Sequence, residues 1–260
     1  MKRTIAEEIY RRHIRLYREL NDIHIFVSHT VPLLKAAASE GKGKFIDPDK
    51  DISIEVPGKQ GRVGVAKRNA TELSVLFKRY AHEELFANLL VTAVSRFEFY
   101  LSGVIAEFLR RSPKKLNLGP KGGDSAKTIS LQLAVDADSL EDLYEEIIEL
   151  RIQSVFYAEP KEYCTYFNAV TELGVPEKTL QPFFEIKASR DLVVHNSLLV
   201  NELYKKKAGE LSRGEIGDQL KIKKDYFDKS LSDMKTISSV IERNARSKHG
   251  KEWEKDSRGQ

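Results

Sequence analysis

The chain is nearly free of cysteine. One residue in 260, Cys164, is a Cys, so no disulfide can form within it. That excludes a disulfide-stapled secreted scaffold and makes a reducing, cytoplasmic setting the expectation. Cys164 reads as a core residue, because no motif around it marks a nucleophile. No run of about 18 apolar residues occurs, so no membrane span is expected. The opening MKRTIAEEIYRRH lacks the apolar centre of a signal peptide. Phosphate-loop chemistry is missing as well: GKGK at 41–44 has neither the Walker spacing nor the closing Lys-Ser/Thr pair. There are six histidines. His13, His24 and His29 share no ligand spacing with the cysteine or a carboxylate cluster, so neither a metal nor a cofactor is expected. Internal repeats and low-complexity tracts are also missing.

Charge and periodicity are plentiful. Charged residues make up 32% and hydrophobic residues 41%, the balance of a soluble globular protein. The net charge of +4 and pI near 8.9 permit a nucleic-acid partner without requiring one.

Residues 4–39 read as helix, with Ile5, Ile9, Leu16, Leu20, Ile23 and Val27 as its apolar stripe. His13 fills the gap in that stripe and reads as a packed histidine. Pro32 should break or kink the helix. Lys2, Arg3, Arg11, Arg12, Arg15 and Arg18 have the charge to touch RNA, but a solvated face is the plainer reading. ISIEV (52–56), a turn at Pro57–Gly61 and RVGVA (62–66) read as a β-hairpin. Asn69-Ala-Thr-Glu72 is a capping-box pattern opening a long helical region. Its phase slips at His82–Glu84, and Pro113 stops it. Arg96 and Glu98 lie inside this apolar helix. LGPKGG (118–123), with Lys115 and Lys121 nearby, is a connector. Asp138-Ser139 caps the next helix, whose Glu145, Glu146 and Glu149 read as a solvated face. Another helix runs from Glu159-Pro160 to Leu173, and Gly174 closes it. A last helix covers Asp225–Arg243, and the polar tail beyond Asn244 is expected to fray.

The chemistry concentrates in Phe183–Asn201, FFEIKASRDLVVHNSLLVN. At about 100° per residue, Ile186, Val193, Val194 and Leu198 fall within about 80° of Phe183. Arg190 falls inside that apolar arc, where a cation needs a partner or water. Asp191 and His195 are i, i+4 neighbours, so the carboxylate has the spacing to orient the imidazole. Each residue also has a plain reading: a half-buried ring, a structural ion pair, a solvated carboxylate. Lys205, Lys206 and Lys207 follow directly, either as a phosphate grip or as a solubilising run.

The stretch Arg190-Asp191-Leu-Val-Val-His195-Asn196 resembles the R-x4-6-H motif of HEPN domains. SLLVNELYKKKAG, GDQLKIKKDYFDKSL and the earlier SRFEFYLSGVIAEFLRR resemble the bacterial HEPN branch of RiboL-PSP type. The resemblance spans roughly residues 71 to 246. It implies a mostly α, antiparallel helical bundle carrying the small hairpin near 52–66. The expected organisation is an N-terminal helical segment with hairpin at 1–68, a HEPN-like core at 69–246 and a disordered tail at 247–260. By the same resemblance the chain is a metal-independent endoribonuclease of toxin or phage-defence type, working as a homodimer on RNA. An antitoxin or defence-system partner is also implied.

In that reading Arg190 clamps phosphate, His195 serves as base or acid, and Asp191 or Asn196 orients the histidine. Lys205, Lys206, Lys207 and Arg96 contact RNA. Arg190 and His195 stand about 140° apart on one helix, which suits a cleft assembled from two chains. One branch of the family carries a tyrosine two residues after the histidine, where a partner enzyme modifies it. Ser197 stands there, so that mode of control is not expected. The rival reading is a non-catalytic HEPN adaptor that dimerises and binds RNA, nucleotide or protein; a third is an unrelated helical protein.

Overall fold

Helical periodicity becomes helix almost everywhere in the computed structural model, which describes residues 3–40, 51–119 and 131–257. The helices are α1 (Ile5–Glu40), α2 (Ala70–Arg79), α3 (Leu85–Arg111), α4 (Leu131–Asp136), α5 (Leu140–Phe156), α6 (Pro160–Thr171), α7 (Glu177–His195), α8 (Glu202–Ala208) and α9 (Lys224–Ser257). One two-stranded antiparallel sheet joins them, β1 (Ile52–Pro57) with β2 (Val63–Arg68). The chain is thus mostly α with a small hairpin. GKGK, Lys2, Lys121 and most of the 118–123 connector lie outside the described residues.

The hairpin pairs Ile52 with Arg68 and Pro57 with Val63. Its contacts are chiefly between its own strands. Val63 and Val65 are exposed.

Helix α3 is the axis of the core. Phe86, Leu90, Phe97, Leu101, Val104 and Ile105 are buried along it. They join Ile9, Leu16 and Leu20 of α1, Phe167 of α6, Phe183 of α7 and Phe227, Met234 and Ile237 of α9 in one cluster. Helix α1 therefore shares the core of the residues after 69 rather than standing apart. The Arg12 side chain of α1 lies over Gly103 of α3, and its guanidinium would have to shift to make room for a Cβ there. The run Ala70–Arg111 has the length and apolarity to cross a membrane by those criteria alone. Half of its most apolar stretch is buried within the fold.

The α3 entry follows its sequence signals. Asn69 and Glu72 form the capping box, each side chain bonding the other's backbone N–H. The phase slip at 80–84 is a turn of π-helix, Tyr80–Glu84, which carries α2 into α3 without a break.

Two expectations change. Pro32 does not break α1, which runs through it to Glu40, with Val31 packed against the core and Ala38 buried. Ser74 adds a hydrogen bond to the Ala38 carbonyl at 2.7 Å. Nor does the last helix end near Asn244; α9 continues to Ser257. Asn244 bonds the Leu173 carbonyl at 3.0 Å, Ala245 is buried, and the His249 ring lies 5.7 Å from that of Phe108.

His13 is packed, as its place in the stripe predicts. Its Nδ1 is 3.2 Å from Ser238 Oγ of α9, and its ring is 4.6 Å from that of Tyr17. Burial pushes its pKa below 6.5, with Glu242 opposing and Arg246 adding to the effect. Below that pH the unfolded chain binds more protons than the folded one. Stability from this group is present above pH 6.5 and is lost as pH falls. Calorimetry should therefore show Tm declining from pH 7 towards 5.5, and His13→Gln should flatten that decline.

Candidate active site

The first half of α7 is anchored by apolar packing. Phe183, Phe184 and Ile186 are buried, with the Phe183 ring 4.9 Å from that of Phe97 on α3. One turn beyond Ile186, the same face brings Arg190 against α3, with its side chain only 18% exposed. A buried cation needs an opposite charge, and Glu98 of α3 supplies it.

Glu98 Oε2 accepts from Arg190 Nη2 at 2.7 Å, and Glu98 Oε1 accepts from Lys187 Nζ. Asp191 then pairs with Arg190 at 3.1 Å and with Lys207 of α8 at 3.5 Å. The charges alternate: Lys187, Glu98, Arg190, Asp191, Lys207. Three helices are tied together by this chain of contacts. Arg190 Nε lies buried without an acceptor among the described residues, within the wall of the site.

Helix α7 stops at His195, so the motif segment is not helical to Asn201 as its periodicity implied. The Leu192 carbonyl accepts the N–H groups of both Asn196 and Leu198. Ser197 and Leu198 then adopt φ of +48° and +63°. Left-handed backbone is unfavourable for residues with a Cβ, at about 1 kcal/mol or more each. The turn is held by Asn196, whose side chain donates to the Leu199 carbonyl at 2.5 Å. It is held again by a bridge of Leu199 with Gln219 and by the Leu220 N–H on the Leu198 carbonyl. Asn201 caps α8 through the Tyr204 N–H.

A second small core lies beneath, with Ala188, Leu192, Val200, Tyr204, Ala208 and Leu220. Beside it is Glu185, 5% exposed. Its carboxylate accepts from Ser189 Oγ at 2.7 Å, Tyr204 OH at 2.9 Å, Arg213 Nε at 2.9 Å and Tyr226 OH at 2.8 Å. The Arg213 guanidinium lies 3.4 Å from the Tyr226 ring centroid. Burial, then the Glu185 charge, raises the pKa of both Tyr204 and Tyr226, so both stay protonated as donors. This hub fixes α8 and the 209–220 loop onto α7.

The result is an open cleft of about 520 Å³, lined by Glu98, Lys187, Arg190, Asp191, His195, Asn196 and Lys207. Phe99, Gln153, Tyr157 and Leu203 add to its lining, with Tyr157 89% exposed. Three cations face two carboxylates there. His195 is exposed at the end of α7 and has no partner among the described residues.

Arg190, Asp191, His195 and Asn196 all reach this cleft, but two expected roles change. Asp191 does not hold His195; Arg190 and Lys207 occupy it. Asn196 secures the turn rather than the imidazole. Of the lysine run only Lys207 lines the cleft. Lys205 bonds Glu215 and the Gly214 carbonyl, and Lys206 pairs with Glu159. Arg96 is exposed on another face of α3 and lines a different groove.

In the sequence Glu98 stands in the long apolar helix with no role marked, and nothing singles out Lys187 or Glu185. An acid in an otherwise apolar helix was the one signal for Glu98. Cys164 is buried, and burial pushes its thiol up to about 12, consistent with packing rather than nucleophilic attack. Glu145 forms a two-pronged pair with Arg110 at 2.6 Å, away from this cleft. No protein-family model matches this chain, and no curated protein or solved structure is significantly similar to it.

Proposed function

We propose that this chain is a metal-independent endoribonuclease of HEPN type, serving a toxin or phage-defence role and completing its site across a homodimer. The observation that carries the reading is the joint opening of Arg190 and His195 onto one cleft, with two further cations beside them. His195, as base, takes the proton from a ribose 2′-hydroxyl. That oxygen forms a bond to the adjacent phosphorus while the bond to the 5′-oxygen breaks. Arg190, Lys187 and Lys207 offset the charge gathering on the phosphate. The leaving 5′-oxygen needs an acid, and each protomer brings one histidine to its cleft. A second copy supplies the other. Val194, Leu199 and Leu203 are exposed near His195, an apolar surface for that copy to cover.

The test is cleavage of single-stranded RNA in excess EDTA. Expected are 2′,3′-cyclic phosphate and 5′-hydroxyl ends, with Arg190→Ala at least 10²-fold slower. If each site takes a histidine from both chains, an excess of His195→Ala should suppress the wild-type rate by forming mixed dimers. Products with 3′-hydroxyl ends would sink the reading. A specific observation favours the rival, a non-catalytic adaptor: Glu98 and Asp191 already satisfy much of the Arg190 guanidinium. That reading predicts dimerisation and binding with no cleavage at all.

A further inference from the structure

A second groove, of about 770 Å³, runs between α1 and α3. Arg3, Arg11, Arg12, Arg15, Arg18 and Arg96 line it, against Glu8 and Glu19. Six cations over two carboxylates leave a formal excess of four positive charges. The pairing is partial. Glu8 meets Arg3 at 3.8 Å and Arg12 at 3.3 Å, and Glu19 meets Arg15 at 2.9 Å. Arg11, Arg18 and Arg96 are exposed and have no counter-ion among the described residues.

The position of Phe99 gives the groove a direction. Its side chain lines both this groove and the cleft of Arg190 and His195, and it is 56% exposed. The Arg15 guanidinium stands 5.5 Å from its ring centroid. Arg11, Arg15 and Arg18 follow i, i+4, i+7 spacing, one row about 10 Å long on α1. Arginines bind phosphate in two-pronged fashion, and an exposed aromatic ring stacks a base whatever its identity.

We infer that the α1–α3 groove is a binding track for single-stranded RNA, which crosses Phe99 and enters the His195 cleft. This deepens the ribonuclease reading and rests on it for the strand's destination. A row of guanidines beside a stacking ring suits a flexible strand whose bases are unpaired. A duplex keeps its bases stacked inside and offers Phe99 no face. The substrate is then an unpaired stretch several nucleotides longer than the cleft alone holds.

The experiment uses the full chain as His195→Ala, to prevent turnover, with labelled single-stranded RNAs of four and sixteen nucleotides. Polarisation, by direct titration or competition, reads affinity across a salt series. The 16-mer should bind at least tenfold tighter than the 4-mer. Adding Arg11→Ala, Arg15→Ala and Arg18→Ala together should weaken the 16-mer about 30-fold and the 4-mer less than threefold. Three lost phosphate contacts should also reduce the salt slope by about two. Phe99→Ala should weaken the 16-mer at least fivefold.

All four arginine and phenylalanine positions are exposed, and circular dichroism checks that the variants fold. Equal binding of both lengths, or equal loss on both, overturns the track. So does binding to anionic phospholipid vesicles without binding to RNA. Length-dependent binding by a wild-type chain that never cleaves supports the track and defeats the ribonuclease reading. Cleavage in EDTA with no length dependence does the reverse.

Discussion

His195→Ala should slow RNA cleavage by about 10³-fold while leaving Tm within about 2 °C of wild type. Both halves follow from one placement. His195 ends α7, is exposed, and makes no hydrogen bond or ion pair among the described residues. Removing it leaves no buried partner unsatisfied, so the fold loses little. The turn after it is secured by Asn196, not by the imidazole. Yet the imidazole is the one histidine side chain lining the cleft, and histidine is the residue most often used for general acid–base catalysis. Single-turnover kinetics beside thermal melts would separate the two effects. A variant as active as wild type would remove His195 from the chemistry, and a large drop in Tm would mean its role is structural.

Glu185→Ala should act in the opposite sense, costing about 3–5 kcal/mol of stability and lowering Tm by about 10 °C. Four donors converge on this carboxylate, and two of them, Tyr204 of α8 and Arg213 of the 209–220 loop, belong to segments docked on α7. Alanine leaves the Arg213 charge and two tyrosine hydroxyls without their acceptor. Glu185→Gln should lose less, since it keeps the shape and one oxygen. Urea unfolding measures both. A loss below about 1 kcal/mol for Glu185→Ala would show that the hub adds nothing net. The site should suffer as well, because Lys207 reaches Asp191 only while α8 is docked.

Local pattern sufficed for much of this molecule. The capping box at Asn69–Glu72, the alternation of ISIEV, the slip at 80–84 and the gap filled by His13 each involve neighbours a few residues apart. Near-neighbour sterics and hydrogen bonds decide such features, so the sequence displays them. The motif residues were also legible as a group, because Arg190, Asp191, His195 and Asn196 share one short segment.

Their partners were not. Arg190 and Glu98 lie 92 positions apart, and no period in either helix says that they meet. The i, i+4 spacing of Asp191 and His195 was real but lost to competition. Arg190 and Lys207 offer permanent positive charge, and His195 sits where α7 gives way to a left-handed turn. That turn defeated the periodicity from 196 to 201. Leu198 and Leu199 look helical by hydropathy, and the Asn196 side chain with the bridge to Gln219 and Leu220 holds them otherwise. The arginines of α1 read more readily as a solvated face than as an RNA contact, and only α3 brings Arg96 and Phe99 beside them. Local pattern marked most of the helices, the hairpin and the segment that carries the polar cluster, though not where α7 and α9 end. Tertiary packing decided which charges are paired and which stay free, since that depends on contacts between residues far apart in the chain.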